Sequence, residues 1–175
     1  MNDDDIVRPY QDSPLHLKSM EIVAVTLSLQ VLVNDRIQDE DNGLDSAERE
    51  LLQHTIDDMV ASALLISAKI AGAVGADLYD IQMENATLIR MHARQLITGL
   101  HSLQMFGYDA EEYFQVLRDE VEDLRLLFLD WISTFDPWDY VFDEWGLFNP
   151  PGISPQDLDD GGSIGQRDFF DSEAE

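Results

Sequence analysis

Four histidines stand among many carboxylates in this chain, so metal binding is the first chemistry to consider. His54 lies four residues after Glu50 and shortly before Asp57 and Asp58, a spacing that places acids near one imidazole on a helix. A di-iron helical protein needs Glu-x-x-His on two helices, and no glutamate here has a histidine three residues later. The pattern is more typical of a solvated acidic face. We expect no cofactor, with His54, Asp57 and Asp58 as the candidate ligands if a metal is bound.

Nucleophilic catalysis and phosphate chemistry lack support in the sequence. The chain has no cysteine, and Gly72-Ala-Val-Gly75 is not followed by the Gly-Lys-Ser or Gly-Lys-Thr of a phosphate-binding loop. Ten basic residues against 36 acidic ones leave few groups to pair with a phosphorylated substrate. We therefore expect a protein that is not an enzyme.

A second set of polar residues lies in the third helical segment, where Asn85, His92 and Gly99 are seven residues apart. A heptad pattern through the leucines of that segment places them on an inner seam. Buried polar groups need partners, because an unpaired one costs about 1–3 kcal/mol. Asn85 and His92 are thus candidates for a buried polar site. The alternatives, which we favour, are control of helix register or a position at the border of the core.

Long segments of helical periodicity position these residues. Ser13-Pro14 and the pair Asp45 and Glu48 are helix-start signals. Along each segment, apolar residues recur at intervals of three and four. The sequence predicts helices at about 14–37, 46–72, 77–106 and 110–135, and a short fifth helix at 137–146.

Short connections between long helices make sequential neighbours antiparallel. The expected fold is all-α, an up-down-up-down antiparallel four-helix bundle in residues 13–150. Residues 1–12 are expected to be a disordered acidic N-terminus, and residues 151–175 a largely disordered acidic tail. Gly72 and Gly75 favour a break between the second and third helices, with one continuous helix as the alternative.

The expected core face of the first helix follows the most apolar stripe in that segment. It comprises Leu17, Met20, Val23 or Ala24, Leu27 and Val31. The corresponding stripe of the second helix comprises Leu52, Ile56, Met59, Ala63, Ile66 and Ile70. Such stripes are typical of helices that pack against neighbouring helices.

The stretch that follows the fourth helix, "FDPWDYVFDEWGLFNPPG", is rich in aromatic residues. The apolar spacing of the fourth helix continues across Pro137, although proline interrupts a helix interior. Asp136-Pro137 is a good helix start, which predicts the fifth helix. The apolar face of this helix comprises Trp138, Val141, Phe142 and Trp145, and the candidate contact face comprises Trp138, Phe142, Trp145 and Phe148. We expect this face to close the bundle, with binding of a partner as the alternative.

The formal net charge of −26 is the most unusual feature of the composition. It argues against nucleic acid and anionic membrane as partners, because phosphate binding requires clustered lysine and arginine. The acidity has three interpretations: a solvated surface, adaptation to high salt, or an acidic face that masks a basic partner. The acidic N-terminus lacks the pattern of a signal peptide, and uninterrupted apolar runs are short, so we expect a cytoplasmic protein.

These observations favour a non-enzymatic interaction or structural protein that binds a protein partner or associates with itself as a homodimer. Two other functions remain open from the sequence. One is a small-ligand or metal-binding helical bundle, and the other is an acidic protein that masks a basic partner.

Overall fold

A computed structural model of the chain describes residues 12–74, 78–108 and 110–155. The described residues contain no strand. The all-α class predicted from the sequence is confirmed. The four long helices are α1 (Pro14–Gln38), α2 (Ser46–Val74), α3 (Tyr79–Met105) and α4 (Glu111–Ile132), and a 3-10 turn (Glu40–Asn42) lies between α1 and α2.

The first two helices begin at the predicted capping residues. Ser13 accepts a hydrogen bond on Oγ from the backbone N–H of His16 at 3.1 Å. At α2, Asp45 and Glu48 form a reciprocal capping box, with N–H to carboxylate distances of 2.8 and 2.9 Å. These bonds satisfy N–H groups that have no partner inside the helix.

A break separates α2 from α3. The backbone of Leu78 is extended, with φ −87° and ψ 129°, so α3 begins anew at Tyr79. Two glycines were expected at this break. Gly72 instead lies within α2, and Gly75 lies outside the described residues. The N-terminus and the acidic tail were expected to be disordered. Most of both, residues 1–11 and 156–175, lies outside the described residues as well.

Helix α1 packs against both α2 and α4, and α2 packs against α3. The contacts run in antiparallel order: Met20 and Gln30 of α1 meet Ser67 and Asp57 of α2, respectively. The predicted stripe of α2 is buried in full. The core also holds, among others, Ile22, Leu29, Leu96, Leu100, Phe114 and Leu124. A groove separates α3 from α4, so the closed up-down-up-down bundle stays a prediction.

The core face predicted for α1 is wrong. Leu17, Met20, Leu27 and Val31 are exposed to solvent. The buried face lies on the other side of the helix, and only Val23 was named in the predicted stripe. It comprises Leu15, Ser19, Ile22, Val23, Thr26, Leu29 and Val33.

Two small polar residues explain this error. Ser19 donates its hydroxyl to the carbonyl of His16 at 2.6 Å, and Thr26 donates to the carbonyl of Ile22 at 2.7 Å. Because each hydroxyl bonds its own helix, both side chains can be buried without an unpaired polar group. Helix α1 therefore has two faces with apolar residues at intervals of three and four, and periodicity alone does not say which one is buried.

The predicted fifth helix at 137–146 is also wrong, because the chain after Ile132 forms turns. Asp136 accepts from the N–H of Trp138 at 3.0 Å, and Asp143 accepts from the N–H of Trp145 at 2.9 Å. Side chains of aspartate that bond nearby N–H groups compete with helix formation. We call residues 133–155 the aromatic segment.

The close approach of α2 and α3 depends on Gly99. This residue is buried, and a Cβ atom built on it would lie 2.4 Å from Cγ of Met59 in α2. Gly72 in α2 is different, because it is exposed and a Cβ there would meet nothing within 4 Å.

We predict opposite effects of alanine at these two glycines. Gly99→Ala should lower the free energy of unfolding by about 1–3 kcal/mol, because Met59 or α2 must move. Gly72→Ala should raise it by roughly 0.5–1 kcal/mol, because alanine favours a helix interior. Urea unfolding monitored by circular dichroism measures both, and equal effects of the two variants would contradict the packing described.

Candidate functional site

The candidate buried polar site contains His92 but not Asn85. His92 is buried against α2, with Nδ1 2.7 Å from Oε1 of Gln95. The same oxygen accepts the hydroxyl of Ser62 at 3.1 Å. Since an amide oxygen only accepts, Nδ1 carries the proton of the imidazole in this arrangement. Asn85 is half-buried and donates to the carbonyl of Ile81 in its own helix at 2.9 Å.

A pocket of about 420 Å³ with a mixed polar and apolar lining lies beside this cluster between α2 and α3. Hydroxyl and amide groups form much of its lining, together with Asp58, Met59 and the backbone of Gly99. The Ser62–Gln95–His92 chain joins α2 to α3 and fixes the orientation of the imidazole. Its direct chemical consequence is therefore a polar link between two helices.

Two of the three candidate metal ligands contact each other, and the third does not join them. Nδ1 of His54 lies 2.9 Å from Oδ2 of Asp58, and both side chains are largely exposed. Asp57 instead accepts hydrogen bonds from Gln30 and Gln53. Within residues 12–74, 78–108 and 110–155 there is no group of three or more side chains placed to hold a metal ion.

The aromatic residues expected to close the bundle divide into two groups. Trp138 and Trp145 are 62% and 87% exposed, so this chain does not cover their rings. Phe142 and Phe148 are half-buried, and they line a shallow depression with Trp145 near the start of α3. Tyr140, which was not predicted as part of the face, is buried.

The aromatic segment is attached to the first turn of α3. The backbone N–H of Tyr79 donates to the carbonyl of Asp139 at 2.7 Å, and the carboxylate of Asp80 accepts from the N–H of Val141 at 3.0 Å. The N-terminus of α3 has no side-chain cap of its own. The aromatic segment therefore supplies a partner for one of the N–H groups that a helix start leaves unsatisfied.

Asp143 organises the second half of the aromatic segment. Partial burial raises the pKa of its carboxyl, but the backbone N–H groups of Phe148, Trp145 and Leu147 together outweigh that effect. The pKa of Asp143 consequently lies below its usual value of 3.8. Asn149 completes the arrangement, since its side chain bonds both the N–H and the carbonyl of Asp143.

The side of α1 that was expected to be buried is exposed, and this bears on function. We call it the α1 outer face, comprising Leu17, Met20, Ala24, Leu27 and Val31. Exposed Leu64 of α2 adjoins it, because Leu64 lies between Asp57 and Ser67, which contact α1. An apolar surface that follows one helix for several turns is typical of a binding site.

A second apolar surface lies in the groove between α3 and α4, which has a volume of about 660 Å³. Arg90 and Arg94 of α3 and Arg118 and Arg125 of α4 line its sides. This site was not predicted from the sequence, although its arginines recur at spacings of four and seven on consecutive helices. The floor comprises Ile89, Ala93, Ile97, Val121, Leu124 and Phe128.

One motif match was also overlooked in the sequence. Gly161-Gly-Ser-Ile-Gly165 fits the letters of the Gly-x-Ser-x-Gly motif of serine hydrolases, but it lies outside the described residues. That motif acts at a turn that follows a strand. The part of the chain that the structure describes contains no strand.

Helix α1 is the one helix, within the described ranges, that is long and apolar enough to cross a membrane by length and composition. Core helices of water-soluble proteins pass the same test. The two apolar faces of α1 account for its composition, since Ile22 and Leu29 pack in the core whereas Leu17 and Val31 lie outside.

Comparison of the chain with protein-family models, curated proteins and solved structures gave no match. The candidate sites are therefore assigned from their residues and geometry.

We predict that the amide protons bonded to Asp143 report its titration. Because the folded-state pKa is depressed, the contacts are complete above about pH 4 and are lost as the pH falls through the folded value. The amide NMR shifts of Leu147 and Phe148 should titrate with a midpoint below 3.8, and Asp143→Asn should abolish this titration. Asp130→Asn, a change at an exposed position of α4, should leave it intact. A midpoint at or above 3.8 would contradict the assignment.

Proposed function

We propose that this protein is a non-enzymatic interaction module that self-associates through the α1 outer face. The observation that carries the proposal is a heptad-spaced apolar face that its own chain leaves exposed. Apolar residues at alternating intervals of three and four are the pattern that packs one helix into another.

The spacing along the α1 outer face suits a two-fold symmetric contact. Leu17 and Val31 each lie seven residues from Ala24, and Met20 and Leu27 lie four and three residues from it, so an antiparallel second copy would place Leu17 opposite Val31 and Met20 near Leu27. A small residue at the centre permits close approach of the two helices. Such a self-complementary patch is what a two-fold dimer requires.

Charge also favours a second copy as the partner. None of the five outer-face positions carries an ionisable side chain, although the chain as a whole has a formal net charge of −26. Two copies can therefore meet here without burying carboxylates, which is costly unless they are paired. Repulsion between the remaining surfaces acts over longer distances and is screened by salt.

The size of the face suits a weak, reversible dimer. From Leu17 to Val31 it is about 21 Å long at 1.5 Å per residue, and with the adjoining edge of α2 it is about 20 Å wide, which gives roughly 400 Å². Standard stable interfaces bury about 800 Å² of each partner, so this contact lies at the small end of the range. A cytoplasmic location accords with such a module.

A single charge on the α1 outer face should prevent self-association. Leu27→Glu should convert a dimer at tens of micromolar into a monomer, with a dissociation constant raised on the order of 100-fold, because each subunit would bury an unpaired carboxylate. Sedimentation velocity measures the oligomeric state, and circular dichroism checks that folding is unchanged.

Leu126→Glu is the matched control, since Leu126 of α4 is 51% exposed and Leu27 of the outer face is 42% exposed. It should remain dimeric. A wild-type chain that is monomeric at all salt concentrations, or an equal effect of both variants, would contradict the proposal.

Salt should strengthen the dimer. Raising NaCl from about 0.1 M to about 1 M shortens the Debye length from about 10 Å to about 3 Å, which screens repulsion between two acidic chains. The dissociation constant from sedimentation equilibrium should therefore fall. A dissociation constant that rises with salt would indicate a contact held by ion pairs instead.

A further inference from the structure

The groove between α3 and α4 combines an apolar floor with a positive rim in a strongly acidic chain. Four of the ten lysine and arginine residues line it, against one carboxylate, Glu122. Its floor consists of aliphatic side chains and Phe128, and it is open along one side. A ligand that matches it must bring apolar bulk for the floor and negative charge for the rim.

The four arginines differ in their availability. Arg125 is paired with Glu122 at 2.6 Å, and Arg118 with Glu111 at 3.1 Å. Among the described residues, Arg90 and Arg94 make no ion pair, and both are exposed. The α3 side of the groove therefore offers two guanidinium groups whose donors suit carboxylates.

The C-terminal part of the sequence has the matching chemistry. The stretch from Asp168 to Glu175, "DFFDSEAE", places two adjacent phenylalanines between aspartates and adds two glutamates. Phenylalanine rings supply large apolar area for a pocket, and the carboxylates suit the arginines. Between Gln156 and the C-terminus no other aromatic residue occurs.

The chain is long enough to bring this stretch to the groove. The described structure ends at Pro155, in the aromatic segment that is bonded to Tyr79 and Asp80 at the start of α3. From Asp80 to Arg90, at the near end of the groove, is about 15 Å along the helix. The residues between Pro155 and Asp168 span up to about 43 Å when extended.

We propose that the groove between α3 and α4 binds an acidic peptide segment with paired aromatic residues, and that its occupant is this chain's own Asp168–Glu175. Phe169 and Phe170 fill the floor, and the flanking carboxylates pair with Arg90 and Arg94. Attachment to the same chain gives an effective concentration in the millimolar range, so a weak contact suffices. This site is separate from the α1 outer face and does not depend on self-association.

The test uses full-length protein with ¹³C-labelled isoleucine methyl groups. The double variant Phe169→Ala/Phe170→Ala should shift the signals of Ile89 and Ile97 in the groove floor. The signals of Ile22 and Ile66 in the core should stay in place. Both positions lie outside the sequence ranges of α1 to α4, and circular dichroism checks that folding is unchanged. Unchanged Ile89 and Ile97 signals would overturn the proposal.

A competition experiment tests whether the chain's own segment is the occupant. A fluorescent peptide of residues 165–175 should bind the Phe169→Ala/Phe170→Ala protein at least about tenfold more tightly than wild type, whose groove is filled. Adding Arg90→Glu and Arg94→Glu to the double variant should abolish peptide binding. Equal binding to wild type and variant, or none to either, would overturn the proposal.

A dilution series separates binding within one chain from binding between copies. The Ile89 and Ile97 signals of wild type and of the Phe169→Ala/Phe170→Ala protein are compared from about 1 mM to about 20 µM, and also in the Leu27→Glu background. A difference that persists in both series supports docking within the chain. Differences that disappear on dilution would place the segment in a second copy and overturn the proposed occupant.

Discussion

A helix with apolar residues on two opposite sides can bury only one of them against its own chain, and this constraint on α1 governs much of the structure. The side with Ile22 and Leu29 packs in the core, where α1 contacts both α2 and α4. Because α1 is the element that meets both, the arrangement of the other helices depends on which side it buries. The side left outside becomes the surface through which we propose the chain self-associates.

The scarcity of cations constrains the electrostatics in a similar way. Lys18 of α1 extends its side chain towards α4. Its Nζ lies 2.7 Å from a carboxylate oxygen of Glu120, 2.6 Å from one of Glu21 and 3.3 Å from one of Asp123. The hydrogen bond to Glu120, followed by that to Glu21, raises the pKa of this lysine above its usual value. One lysine therefore compensates carboxylates on two helices at once.

The remaining cations are unevenly placed. Four arginines surround the groove between α3 and α4, whereas the α1 outer face carries no ionisable side chain. In a strongly acidic chain, both regions contain few carboxylates, which lowers the electrostatic opposition to a contact there. One suits an uncharged apolar partner, and the other suits an acidic one.

Aspartate has the opposite effect on backbone structure at different places in the chain. Asp45 starts α2 through a capping box, because its carboxylate meets N–H groups that a helix start leaves free. Asp136 and Asp143 instead fold the aromatic segment into turns, because their carboxylates bond nearby N–H groups where a helix was predicted. The same residue type in a similar pattern therefore gave a correct prediction at α2 and a wrong one after α4.

The sequence by itself determined the number of long helices, their approximate bounds and the core stripe of α2, because these follow from local capping and from the period of the helix. It also placed His92 and Gly99 on one seam of α3. Only the tertiary structure decided which side of α1 is buried, since Ser19 and Thr26 look polar in the sequence but satisfy their hydroxyls within the helix. It also decided that Ser62 of α2 would share the Gln95 oxygen with His92, and that arginine pairs on α3 and α4 would line one groove. Such contacts join different helices, which the periodicity of a single helix does not relate.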